Sequence, residues 1–154
     1  FCIRLSGADV VVGGEPRAPL DDSLGCLADR ANLKGFAFEY MTAGRAVVLG
    51  DPGPWLCAGQ TGGRVYLRLA PELGLTREAL ERRRGKGAKV ALAELDEVGE
   101  ADVAELLGAY ADELEGSGQD AEADRVRGLG AVARAHFLVS LPLGGQTDPS
   151  VSTE

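Results

Sequence analysis

His136 is the only histidine among 154 residues, and it stands where a helix-like stretch meets an apolar, strand-like run. A catalytic triad needs a serine or cysteine nucleophile and a carboxylate held beside the histidine. No such motif accompanies His136, so a structural role is expected. Cys2, Cys26 and Cys57 are odd in number and widely spaced, which suits neither a disulfide framework nor a CxxC metal site. They read as buried, reduced thiols.

The clusters Gly13-Gly14, Gly62-Gly63 and Gly85-Lys86-Gly87 have the composition of a phosphate cradle. None fits GxxxxGK[ST] or a strand-linked GxGxxG opening a helix, so they are expected to be turns. Arg82, Arg83, Arg84 and Lys86 form a compact basic patch. Without interleaved aromatics, and beside a strongly acidic stretch, it suits a solvated face or a protein contact better than nucleic acid.

What remains points to contact rather than chemistry. Glu39, Tyr40, Arg45, Trp55 and Arg64 are candidate interface residues. Trp55 follows the turn Pro52-Gly53-Pro54 and is expected to pack under helices, an exposed tryptophan being the mark of an interface.

The elements that position these residues come from a repeat. Thr42-Ala43-Gly44-Arg45 and an apolar run return as Thr61-Gly62-Gly63-Arg64 and another, offset by 19 residues. An earlier copy, Ser6 to Gly14, lies 36 residues before Thr42 to Gly50, close to two periods, which places a degenerate copy around Cys26 to Leu33. A fixed period of roughly 20 residues marks a chain that stacks like units. Alternation points Val65 and Leu67 to one face, with Ala46, Val48, Val10 and Val12 following the same register.

Residues 1–75 hold 12 of the 22 glycines, and each interior glycine costs a helix about 1 kcal/mol. Strands joined by glycine turns at Gly7, Gly14, Gly44, Gly50, Gly59, Gly62 and Gly63 are therefore expected. Stacked in parallel about 4.8 Å apart, they predict a mainly-β chain, a right-handed parallel β-helix of a few coils. Arg45 and Arg64 then fall on adjacent strands, where like charges repel unless a carboxylate lies between them. Glu39 is the expected carboxylate.

Phe1 to Gly14 (FCIRLSGADVVVGG), Phe38 to Gly50 (FEYMTAGRAVVLG) and Cys57 to Leu67 (CAGQTGGRVYL) together resemble the C-terminal glycine-repeat (GXGXG) domain of the glutamate synthase large subunit. The same β-helix domain occurs in a formylmethanofuran dehydrogenase subunit. The resemblance covers most of the chain. It departs where Phe38 replaces the family's usual cysteine, where Leu24 to Lys34 lengthens one coil, and in lacking the early glycine-repeat coils.

The resemblance implies a non-catalytic structural domain or subunit of glutamate synthase. That enzyme moves glutamine's amide nitrogen to 2-oxoglutarate. Its FMN and iron–sulfur cluster are expected in partner domains, with no cofactor or metal in this chain. The implied partners are the glutaminase and FMN-binding domains, held in register by this one. The alternatives are a subunit of a formylmethanofuran dehydrogenase-like oxidoreductase and a freestanding, self-assembling homo-oligomer.

Residues 76–142 are expected to close the β-helix as a helical cap of the same domain. Thr76 is a plausible N-cap for a short helix ending by Gly85, Val90 and Leu92 suggest a strand, and a longer helix starts near Glu100. A second helix runs from about Ala121, and a strand ends at Pro142. The tail 143–154 has little to bury and is expected to be disordered.

Length suits one domain. Beginning at Phe1, the chain reads as a processed or truncated piece. Its formal net charge of −8 is concentrated in the second half, with 12 acidic and no basic residues from Glu94 to Asp124. That disfavours nucleic acid and anionic membranes as partners. No apolar run approaches a membrane span and no signal peptide is evident, so a soluble, cytoplasmic chain is expected.

Overall fold

The computed structural model describes residues 1–16, 18–19 and 31–144. Cys26, most of the expected degenerate copy, and the tail from residue 145 onward lie outside these. Among the described residues the chain forms five strands, β1 (Ser6–Val12), β2 (Ala43–Val48), β3 (Arg64–Arg68), β4 (Val90–Glu94) and β5 (Phe137–Pro142). Four helices accompany them, α1 (Arg77–Arg83), α2 (Glu97–Gly116), α3 (Asp120–Ala131) and α4 (Ala133–His136).

The strands make one mixed sheet in the order β1-β2-β3-β5-β4. β1, β2 and β3 are parallel, and the repeat offsets are realised from Asp9 and Arg45 onward, after a register shift between Ser6 and Asp9 that pairs Ser6 with Ala43. Asp9 pairs with Arg45 and Arg45 with Arg64, while Val10, Ala46 and Val65 form the next row. Two backbone positions explain why glycine recurs here. Gly44 has φ 101, and a Cβ on it would lie 2.6 Å from the Ala8 carbonyl oxygen. Gly62 backs onto the Thr42 carbonyl more closely still, leaving no room for a side chain.

The sheet does not coil into a solenoid, and the expected mainly-β parallel β-helix is incorrect. After β3 the chain turns at Pro71–Leu73, passes through α1 and β4, and returns after the helices as β5. β5 lies antiparallel against β3, Leu67 opposite Leu138, so the edge that a further parallel coil needs is already occupied. β4 then pairs antiparallel with β5. The fold is mixed α/β with both faces of the sheet covered.

That second covered face is the physical reason for the miss. A β-helix coil buries one face, whereas Val47 and Tyr66, which alternate with the inward-facing Ala46, Val48, Val65 and Leu67, are fully buried along with Val48 and Val65. An uninterrupted apolar run is the signature of a strand buried on both sides. Val11, Val47, Leu49, Tyr66, Phe137 and Val139 meet α2 and α3 through Val103, Leu106, Leu107 and Val126. The helices thus cover a sheet face rather than an end. Each fully buried Val or Leu in that layer contributes about 1.5–3 kcal/mol of transfer free energy.

The opposite face gathers Ala46, Val48, Val65, Leu67 and Leu138 against the strand connections, through Leu33, Phe38, Met41, Leu56 and Cys57. Residues 76–142 therefore supply two strands as well as the helices. α1 starts where Thr76 accepts a hydrogen bond from the Ala79 N–H at 3.1 Å. α2 begins three residues ahead of Glu100, because Asp96 caps it through the Gly99 N–H at 2.7 Å. No helix among the described residues is long and apolar enough to cross a membrane.

Candidate functional site

The turns that precede β1, β2 and β3 stack as the strands do. Phe38 N–H donates to the Phe1 carbonyl at 2.9 Å, and Arg4 N–H to the Glu39 carbonyl at 2.7 Å. Cys57 N–H reaches Ala37 at 2.9 Å, and Tyr40 N–H reaches Ala58 at 2.8 Å. Within this ladder Cys2, Arg4, Phe36, Phe38, Tyr40, Trp55 and Cys57 all have positive φ, between 52 and 60. Such conformations cost non-glycine residues free energy and persist where surrounding bonds over-determine them.

The sequence carried a signal for this geometry that alternation alone does not read. At the two repeat offsets, Arg4 and Tyr40 align with Gly59, and Cys2 and Phe38 align with Cys57. A glycine in one copy marks a left-handed position that the other copies must also adopt.

The stacked turns present an apolar surface. Phe1, Ile3, Phe36, Tyr40 and Trp55 are each about half exposed. Phe36 and Trp55 stack with ring centroids 4.8 Å apart and planes 13° from parallel. Trp55 therefore does not pack under the helices; it stands outside, on the turn between β2 and β3. Tyr40 lies over Gly59, whose missing side chain gives it room.

Arg45 and Arg64 are in register, and the carboxylates that meet them come from β1, from α2 and from its N-cap Asp96 instead of Glu39. Arg45 holds both oxygens of Asp9, at 2.9 and 2.6 Å, and donates to Asp102 and Glu105 at 2.8 Å each. Arg64 pairs with Asp96 at 2.9 Å. Asp102 also accepts the Tyr66 hydroxyl at 2.5 Å. The Arg45 hydrogen bond holds the Asp9 carboxyl below its ordinary pKa, and the Arg64 hydrogen bond does the same for Asp96. Burial first, then the hydrogen bond to Asp102, raises the Tyr66 phenol. Glu39 sits in the turn before β2, half-buried, and takes part in the ladder through its carbonyl.

The turn glycines are spread along this frame. Gly7 and Gly44 lie within β1 and β2 rather than at corners, and Gly59, Gly62 and Gly63 form the approach to β3. Gly14 and Gly50 follow β1 and β2 and close around Asn32, whose side chain accepts the Asp51 N–H at 2.8 Å.

The basic patch is dispersed by folding. Arg83 is fully buried and clasps Asp51 at 2.6 and 2.7 Å, while also donating to the Ala79 carbonyl. Arg84 pairs with Glu81 and donates to the Val90 carbonyl. Cys57 is buried, and burial pushes its thiol up to about 12, which makes a nucleophilic thiolate scarce at neutral pH. His136 ends α4, where its carbonyl accepts the Leu69 N–H. Among the described residues no three His, Cys, Asp or Glu side chains converge as a metal site.

The arrangement is suited to contact. β1 is an edge strand, and the stacked turns beside it expose aromatic side chains of the kind that anchor protein interfaces. No known family model and no curated protein matches the chain.

Proposed function

We propose that this chain is a non-catalytic structural and interaction unit of glutamate synthase, one that holds a glutaminase domain and an FMN-binding synthase domain in register. The observation that carries the reading is the coincidence of resemblance and stacking. The three segments that resemble the family's glycine-repeat pattern are the same three that lie side by side, at offsets of 36 and 19 residues.

The part such a unit plays is geometric. A sheet buried on both faces and tied to α2 by the Arg45 and Arg64 ion pairs is a rigid block. Its exposed aromatic turns, and the edge of β1 that carries no strand among the described residues, offer surface to neighbouring domains. In this reading the FMN and the iron–sulfur cluster reside in those partners, and the assembly is cytoplasmic.

The test is affinity isolation of the tagged chain from its native cells. A yellow eluate with flavin absorbance that forms glutamate from glutamine and 2-oxoglutarate supports the proposal. A colourless eluate containing this chain alone, as an oligomer, replaces it with a self-assembling structural protein.

A further inference from the structure

The outer edge of β1 has no strand against it among the described residues. The Val12 carbonyl accepts the Leu49 N–H, so Val12 turns its backbone groups toward β2. By alternation along the strand, Asp9 and Val11 turn theirs toward the open side. Their side chains stand on the helical face, beside an apolar groove of about 290 Å³ lined by Val11, Leu106, Ala109 and Tyr110, with Asp9 and Glu113 as its acidic rim.

We infer that this edge and groove bind an extended segment of a partner protein in which one basic residue is followed by three apolar ones. The inner edge of β1 supplies the template. There Asp9, Val10, Val11 and Val12 meet Arg45, Ala46, Val47 and Val48 in register. A strand added parallel to β1 on its outer edge, as β2 is on the inner one, faces the same four side chains in the same order and is selected by the same chemistry. Its basic residue lies opposite Asp9, whose side chain remains 49% exposed despite Arg45. Its third residue enters the groove under α2.

Charge argues against a second copy of this chain as the occupant. Asp9 is at the middle of the seven-residue strand Ser6–Val12, so a two-fold pairing of β1 with itself over its full length sets Asp9 against Asp9, a destabilising cross-strand pair. Glu105, Glu113 and Asp102 on the adjoining helix add to the repulsion of another acidic edge. Strand addition of this kind draws affinity from main-chain hydrogen bonds and specificity from alternate side-chain pockets.

The probe is a blocked, fluorescently labelled peptide with the sequence of residues 42–49, TAGRAVVL, titrated into the intact chain and followed by anisotropy. Binding is expected, and replacing the peptide's arginine by glutamate should weaken it roughly tenfold. Val11→Pro removes an outward N–H at an edge that tolerates proline and should abolish binding. Ala109→Lys, on the exposed side of α2, should weaken it roughly tenfold by filling the groove and adding like charge, and it keeps the test valid if Val11→Pro does not fold.

Absence of binding, equal binding of both peptides, or wild-type binding by folded variants overturns the inference. So does a dimer of the chain that Val11→Pro dissociates. The inference is independent of the assembly proposed above, because peptide binding and flavin co-isolation can fail separately.

Discussion

Asp102 bridges Arg45 and Tyr66: one carboxylate oxygen accepts from the Arg45 guanidinium at 2.8 Å and the other from the Tyr66 hydroxyl at 2.5 Å. This single side chain of α2 ties the helical layer to two neighbouring strands. It also relieves the repulsion between Arg45 and Arg64, which pairs with Asp96 one strand over. Asp102→Ala leaves the hydroxyl of the buried Tyr66 without its acceptor, at a cost of about 1–3 kcal/mol. Urea unfolding should show this loss, and Asp102→Asn, which keeps an acceptor, should lose less. Equal stability of Asp102→Ala and the parent chain would refute the bridge.

The Arg83–Asp51 pair fastens α1 to the connection after β2. Both side chains are essentially buried, at 0% and 1% exposure. Removing either partner strands a charge in the interior, so Arg83→Ala or Asp51→Ala should cost about 3–5 kcal/mol. Replacing both by apolar residues of similar volume should restore much of that. Additive losses in the double variant, measured by chemical denaturation, would contradict the pairing.

Asp9 and Asp96 both have carboxyls held below their ordinary pKa by an arginine. A lowered folded-state pKa contributes stability above the unfolded value, and that contribution is lost as pH falls through the folded one. The melting temperature should therefore fall as pH drops below about 4, where free aspartate titrates. Arg45→Ala should flatten part of this dependence by releasing Asp9. An acid profile identical in the variant and the parent would contradict the assignment.

Cys57 should resist alkylation in the native state. Its thiol is buried and pushed up to about 12, so almost no thiolate is present at neutral pH. Mass spectrometry after iodoacetamide treatment should find this residue unmodified until denaturant is added. Rapid native labelling would show that the pocket around it opens.

The pairing of the first three strands was legible because it is written as a repeat. Arg45 and Arg64, Ala46 and Val65, and Val10 and Ala46 meet where the offsets place them. The chain beyond β3 was not legible as part of the same sheet, since β4 and β5 carry no copy of the repeat and join through antiparallel pairing. Valine runs taken as half-buried strands imply a solenoid, whereas Val47 beside Val48 already indicates two covered faces.

Among the interface candidates, Tyr40 and Trp55 proved exposed, Arg45 and Arg64 proved engaged with α2, and Glu39 proved to act through its backbone. The carboxylates that matter, Asp96 and Asp102, sit in an acidic stretch whose sequence shows only bulk charge. Their helical spacing carries no mark of which strand they will face. Arg83 is likewise hidden in a run of three arginines, because burial of one charged residue among its neighbours is decided by the position of Asp51, 32 residues away.

The central claim, that the chain is a structural part of glutamate synthase without an active site of its own, is tested most directly by depletion and add-back. Extract of the native cells is depleted of the chain by affinity capture, and glutamine-dependent glutamate formation is followed before and after returning the purified protein. The account predicts that activity falls on depletion, returns on add-back, and is absent from the purified chain alone. Undiminished activity in the depleted extract would contradict it.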